Sequence, residues 1–134
     1  MHFDFVPNMG AGPLAFGADR KLVRSHLAPL VPQTQATEPE TDFYHKDGFI
    51  LGYDKDNKLE FIEVFPPSTA EYGGVQLLAG SVPEMLARIS DMGHSYNGIH
   101  GAYRFDSVGI SIYCPRQTIE SASLFKAGYY ETSS

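Results

Sequence analysis

The sequence predicts an α+β fold: two tandem β-α-β-β units forming one antiparallel sheet, with two short helices on one face. Three observations predict it. The stretches GPLAFGADRKLVRSHL (12–27) and GVQLLAGSVPEMLARI (74–89) run the same course, a short apolar pair, a glycine turn, then apolar residues at helical spacing. Each is followed by alternating apolar segments punctuated by turn residues, the pattern of strands buried on one side. A chain of 134 residues is long enough to enclose one core that both units share. The expected organisation is therefore a single domain, 1–134, made of two pseudo-repeats at about 12–67 and 74–130.

In chain order, His2 to Val6 alternates, so Phe3 and Phe5 share one face of a strand, and Pro7, Asn8 and Gly10 end it. Leu14 to Phe16 reads as a very short strand. Asp19 is placed to cap a helix, because its carboxylate can accept from unpaired first-turn amides. Leu22, Val23 and Leu27 then form the apolar stripe, with Arg20, Lys21 and Arg24 expected to face away. Pro29 and Pro32 stop this helix, and PQTQATEPET (32–41) reads as a polar connector that does not pack. In FYHKDGFILGYDKDNKLEFIEVF, Asp47-Gly48 and Asp54 to Lys58 mark two turns between three antiparallel strands, with Phe49, Leu51 and Tyr53 on one face. Ser81-Val82-Pro83-Glu84 is a capping box with proline in the first turn. Met85, Leu86 and Ile89 give the second helix its stripe, and Gly93 ends it. Tyr103 and Phe105, then Val108, Ile110 and Ile112, read as a strand pair around a turn at Asp106-Ser107. Gly109 and Ser111 leave the opposite face of the second strand bare. Leu124 to Tyr130 reads as the last strand.

Composition narrows function. Sixteen acids against ten bases leave a net charge of −6, which disfavours a nucleic-acid binder, since phosphate contacts need Lys and Arg. Most of the excess lies in one window. Glu38, Glu40, Asp42, Asp47, Asp54, Asp56, Glu60 and Glu63 stand there against Lys46, Lys55 and Lys58. Such a window is either a solvated hairpin face or a surface that steers a basic partner. No apolar run is long enough for a membrane helix. The N-terminus lacks the basic start and apolar core of a secretory signal. Cys114 stands alone, so no intrachain disulfide forms. A cytoplasmic location is the expectation.

Catalytic constellations are not evident. Asp54 to Leu59 begins like a calcium loop but lacks the sixth-position glycine and, at Phe65, the bidentate glutamate. His94 and His100 flank SYNGI with Asp91 and Asp106 nearby, yet no HExxH or Cys/His pattern accompanies them. Cys114 ends an apolar strand and reads as a buried, inert thiol. The glycines at 10, 12 and 17 match no phosphate-cradling loop. No catalytic residue, metal ligand or cofactor is assigned. Tyrosines are more informative. Tyr72, Tyr96, Tyr103, Tyr113, Tyr129 and Tyr130 crowd the second half, and tyrosine gives an interface large area with a polar tip.

FGADRKLVRSHLAPL resembles the G-[ML]-[ST]-x-x-x-V-x-x-x-L-G-x-P strand–turn–helix of the tandem-repeat fold shared by the β-lactamase inhibitor protein and the outer-membrane assembly lipoprotein family. Gly17, Asp19, Val23 and Leu27 match; Ala18 and Ala28 stand where methionine and glycine are usual, and the proline falls at Pro29. The order from GPLxFG through GFxLGYD, LEFIEV and GIS.Y.P to AGYY is similar to a group of small bacterial proteins. Some of these serve as immunity proteins against polymorphic toxins delivered by type VI secretion or contact-dependent inhibition. The resemblance implies an immunity protein that binds a cognate antibacterial toxin domain, best a nuclease, whose basic groove an acidic inhibitor suits. The expected contacts are Asp47, Asp54, Asp56, Glu60 and Glu63, with Tyr53, Tyr72 and Tyr103. The alternatives are a small-molecule or lipid-type binding module, and a hydrolase using His94, His100 and Asp106.

Overall fold

The structure, a computed structural model, describes residues 1–37 and 39–130. It is mostly β, which corrects the α+β expectation of two β-α-β-β units on a single sheet. Two sheets are present, and the only helices among the described residues have eight and nine residues. The elements run β1 (His2–Val6), β2 (Gly10–Ala11), β3 (Leu14–Ala15), α1 (Arg20–Leu27), β4 (Thr34–Thr37), β5 (Glu40–Tyr44), β6 (Phe49–Tyr53) and β7 (Leu59–Val64). There follow β8 (Thr69–Tyr72), β9 (Val75–Gln76), α2 (Val82–Ser90), β10 (Asn97–Ile99), β11 (Ala102–Phe105), β12 (Ile110–Tyr113) and β13 (Ser121–Phe125). A five-stranded sheet has the order β3-β2-β1-β8-β9, and an eight-stranded one the order β10-β11-β12-β13-β7-β6-β5-β4. Every pairing between these strands is antiparallel except β1 with β8.

The expected unit underestimated the strands. A short hairpin, a helix and a four-stranded meander follow one another twice: β2-β3, α1, β4 to β7, and then β8-β9, α2, β10 to β13. The two meanders join through their last strands, β7 and β13, to make the large sheet. Three local expectations fail for physical reasons. The polar connector contributes β4, an edge strand that needs pairing on one side only and so tolerates Thr and Gln. The stretch around Asn97 supplies a second edge strand, β10, exposed along its whole length. The last strand lies earlier than expected, at Ser121–Phe125, and the chain turns away after Phe125.

Alternation places the core. On the inner face of the large sheet, Leu51, Ile62, Leu124, Ile110 and Phe105 stand in one cross-strand row. Phe49, Val64, Ala122 and Ile112 stand in the next, and every one of these nine is fully buried. Phe3 and Phe5 of β1 join the same core, as their spacing predicts. The Asp47-Gly48 turn is tight because Gly48 has φ +88° and a Cβ there would stand 2.3 Å from the Phe65 carbonyl oxygen.

Both predicted N-caps form, the one at Ser81 through the serine arm of the capping box. Asp19 accepts from the Lys21 amide at 3.2 Å, and Ser81 from the Glu84 amide at 3.4 Å. The buried stripe of α1 differs. Leu22 is half exposed, and the face toward the sheet is Arg20, Val23, Arg24 and Leu27. Arg20 and Arg24 turn inward because β5 presents Asp42, wholly buried, directly beneath them. Arg20 reaches Asp42 Oδ1 through Nη2 at 2.6 Å and Nε at 3.2 Å. Arg24 reaches Oδ1 through Nη2 at 2.6 Å and Oδ2 through Nε at 2.9 Å. Burial alone would raise the Asp42 pKa, but the Arg24 and Arg20 hydrogen bonds outweigh it and hold the carboxyl below its ordinary value.

Candidate docking face

The outer face of the large sheet alternates with the core rows and carries a different chemistry. One cross-strand row reads Arg104, Ser111, Ser123, Glu63, Ile50, Phe43. Beside it, Phe61 stands opposite both Gly52 and Phe125. Serines and a glycine at the centre leave the larger side chains standing around them. Eight strands about 4.8 Å apart and about five residues long make a face on the order of 600 Å², most of the roughly 800 Å² each partner gives to a standard protein interface.

The segment after β13 folds back over one side of this face. Lys126 donates its amide to the Glu60 carbonyl, and the Tyr129 amide closes a turn onto Lys126. Tyr129 stacks on Phe61 with ring centroids 5.1 Å apart, and Tyr130 meets Phe125 edge-on at 4.8 Å. The Arg104 guanidinium lies 4.2 Å from the Tyr130 ring centroid, a cation–π contact that also presents the arginine to Asp106 at 2.7 Å. Between them is a recess of about 170 Å³ lined by Arg104, Asp106, Phe125, Tyr129 and Tyr130. A second, open groove of about 420 Å³ is lined by Glu63, Phe65, Tyr113, Ile119, Glu120 and Ser121.

Glu63 lines the groove, and its charge also reaches Tyr130 of the recess. Its Oε2 accepts from Ser121 Oγ at 2.8 Å, which fixes the carboxylate between Tyr130 on one side and the Tyr113 groove on the other. Burial raises the Tyr130 hydroxyl pKa, Arg104 opposes the rise, and Glu63 and Asp106 add to it. Burial likewise raises Glu60, with Asp54 adding and Lys126 opposing. Asp54, Glu60, Glu63, Asp106 and Glu120 stand on this face and its rim with Arg104 and Lys126, and Lys55, Asp56 and Lys58 share the turn of Asp54.

The expected contact residues divide. Glu60 and Glu63 lie on the outer face, and Asp54 lies at its rim, where its Oδ1 accepts from the Asp56 and Lys58 amides to close the turn. This closed turn is what stands where the calcium-loop beginning was read. Asp56 is exposed in the same turn. Asp47 is at the opposite end of β6, its carbonyl taken by Ser68 Oγ. Tyr53 is corrected outright: it is 3% exposed and sits under Arg20, 4.8 Å from the guanidinium, so no partner reaches it. Tyr72 lies on the other sheet, sharing a hydrogen bond with His94 Nε2 at 3.1 Å. Tyr103 packs edge-on against Tyr96 beside α2, away from the acids. Glu38 of the acidic window lies outside the described residues. Sequence reasoning missed Phe61, Tyr113, Tyr129, Tyr130 and Arg104 as one group. The signal was alternation in β7 and β13, which sends Phe61 and Phe125 to the face opposite Ile62 and Leu124.

His94 Nδ1 bonds Ser107 Oγ at 3.1 Å, Asp106 pairs with Arg104, and no hydrogen bond among the described residues joins His94, His100 and Asp106. Cys114 is buried, with its thiol pKa raised by burial. No helix among the described residues is long and apolar enough to cross a membrane. The chain matches no family model, no curated protein and no solved structure.

Proposed function

We propose that the chain is a cytoplasmic immunity-type binding protein, which blocks an antibacterial toxin domain by seating the outer face of its eight-stranded sheet over a basic surface of that domain. One observation carries the reading. Glu63 is held by Ser121 at 2.8 Å in the middle of a face whose rim is aromatic and whose charge is predominantly acidic. A carboxylate fixed in a groove beside Tyr113 and Phe65 is suited to receive Lys or Arg, because it needs little ordering on binding and the rings exclude water around the pair. A nuclease suits best, since its substrate groove is basic. The two grooves favour this over a small-molecule module, because both open to the surface and neither encloses a ligand as ligand pockets do.

The test first asks whether the gene immediately upstream encodes a C-terminal domain that is toxic on expression, and then pairs the chain with that domain; a neighbourhood with no such gene would overturn the reading. Co-expression of the wild-type chain is expected to restore growth and to inhibit the purified domain. Glu63→Lys combined with Tyr130→Ala is expected to weaken binding at least tenfold while leaving the thermal transition in place. Binding unchanged by this pair would show that the outer face is not the interface.

A further inference from the structure

The one parallel pairing among the described strands, β1 with β8, puts a further donor set on the surface of the smaller sheet. Phe3 and Phe5 point into the core, so His2 and Asp4 point outward. The parallel register sets His2 opposite Thr69 and Asp4 opposite Glu71. His2 Nε2 lies 3.2 Å from Asp4 Oδ1 and 3.3 Å from Glu71 Oε1, and the three donor atoms fall within 4.8 Å of one another. The other ring nitrogen, Nδ1, is 2.6 Å from Thr69 Oγ1.

We propose that His2, Asp4 and Glu71 form a divalent-metal site of the zinc class, with Thr69 positioning the imidazole. The spacing supports a shared ion. Donors bound tetrahedrally at about 2.0–2.1 Å stand about 3.4 Å apart along each edge, and both Nε2 distances are close to that value. One of the two imidazole tautomers suits it too. An Nδ1 proton donated to the Thr69 hydroxyl leaves the Nε2 lone pair aimed at two carboxylate oxygens, an arrangement that a cation between them stabilises. Metal-bound histidines are commonly oriented through their second nitrogen in this manner. One nitrogen and two carboxylate oxygens suit Zn²⁺ or Mn²⁺ better than a thiolate-seeking ion, and the exposed position leaves coordination sites for water. The ion would clasp β1 to β8, the strands through which the first hairpin is joined to the second. This site is independent of the docking face.

The experiment uses the full chain without an affinity tag, freed of metal, with Zn²⁺ chloride as the probe and Mn²⁺ and Mg²⁺ as comparisons. Isothermal titration is expected to show one Zn²⁺ per chain, with Mg²⁺ silent. At a hundredfold excess over Kd, Zn²⁺ is expected to raise Tm by roughly 5–10 °C. His2→Gln and, separately, Glu71→Gln are expected to abolish the stoichiometric heat and the Tm rise, while His26→Gln retains both. Each variant's metal-free Tm shows that it folds. If the wild-type chain binds no Zn²⁺, or His2→Gln and Glu71→Gln bind as tightly as wild type, the proposal fails. The cluster is then His2 hydrogen-bonded to two surface carboxylates and nothing more.

Discussion

At the scale of the residue, Tyr44 is the most telling side chain. It is fully buried and stacked on Phe49 at 4.6 Å, yet its hydroxyl makes no hydrogen bond among the described residues. Burial, with the Asp42 charge adding, pushes its pKa up to about 12. The sign follows from linkage. The folded state keeps this proton to a higher pH than the unfolded state, so stability is full below about pH 10 and falls as pH rises from there toward 12. Tyr44→Phe removes both the lone hydroxyl and the titration. It is expected to raise stability by about 1 kcal/mol near neutrality and to lessen the loss between pH 10 and 12, read by urea denaturation across that range. Tyr53, Tyr129 and Tyr130 carry the remainder, since burial raises their hydroxyl pKa values as well. A variant less stable than wild type by a similar amount would show that the hydroxyl is satisfied. The acidity of Glu60 and Glu63 was legible in the sequence. Their separation from Asp47 was not, because a charge count does not say at which end of a strand a turn lies.

At the scale of the element, α1 shows what periodicity reads and what it misses. Positions 20, 23, 24 and 27 make a regular helical stripe, but two of the four are arginine, and a hydropathy reading sends arginine to solvent. The information lay in another element, where Asp42 of β5 falls on the inward side of its strand. Arg20 is further held by Glu40 at 2.6 Å and the Thr41 carbonyl at 3.1 Å, so the helix is tied to the edge of the large sheet by charge as well as by Val23 and Leu27. Asp42→Asn keeps the shape and removes the charge that both guanidinium groups face. It is expected to cost about 3 kcal/mol in urea denaturation, since breaking one side of a buried ion pair leaves the other uncompensated. Because the folded carboxyl has a lowered pKa, wild type holds this contribution above about pH 4 and loses it as pH falls further. The variant is expected to lack that acid limb. An unchanged acid limb would show that other groups carry it. The edge strands β4 and β10 escaped the sequence reading for a related reason: an edge needs little apolar alternation to be held by its neighbour's backbone.

At the scale of the whole molecule, the large sheet is shared by both halves. β13 pairs with β7 in a register of Ala122 to Val64 through Phe125 to Phe61, and the Leu124 side chain lies between Ile62 and Ile110. The hairpin–helix order was legible in the two similar stretches of sequence, together with their helix caps. The joining of two meanders into eight strands was not, because strand partnership between distant segments leaves no local mark. Through this seam the halves are expected to unfold as one cooperative unit. Leu124→Ala is expected to cost about 3 kcal/mol with far-ultraviolet circular dichroism and tyrosine fluorescence still changing together. Two resolved transitions would mean that the halves melt separately.

The parallel alignment of β1 with β8 also has a temporal side. His2 stands opposite Thr69, sixty-seven positions on, so during synthesis the first strand emerges long before its neighbour exists. Until then Phe3 and Phe5 have no complete surface to bury against, and closure must await the second hairpin. Birth order and fold order are thereby reversed at the amino terminus, and a nascent chain paused before residue 69 would display two phenylalanines to whatever meets it at the ribosome.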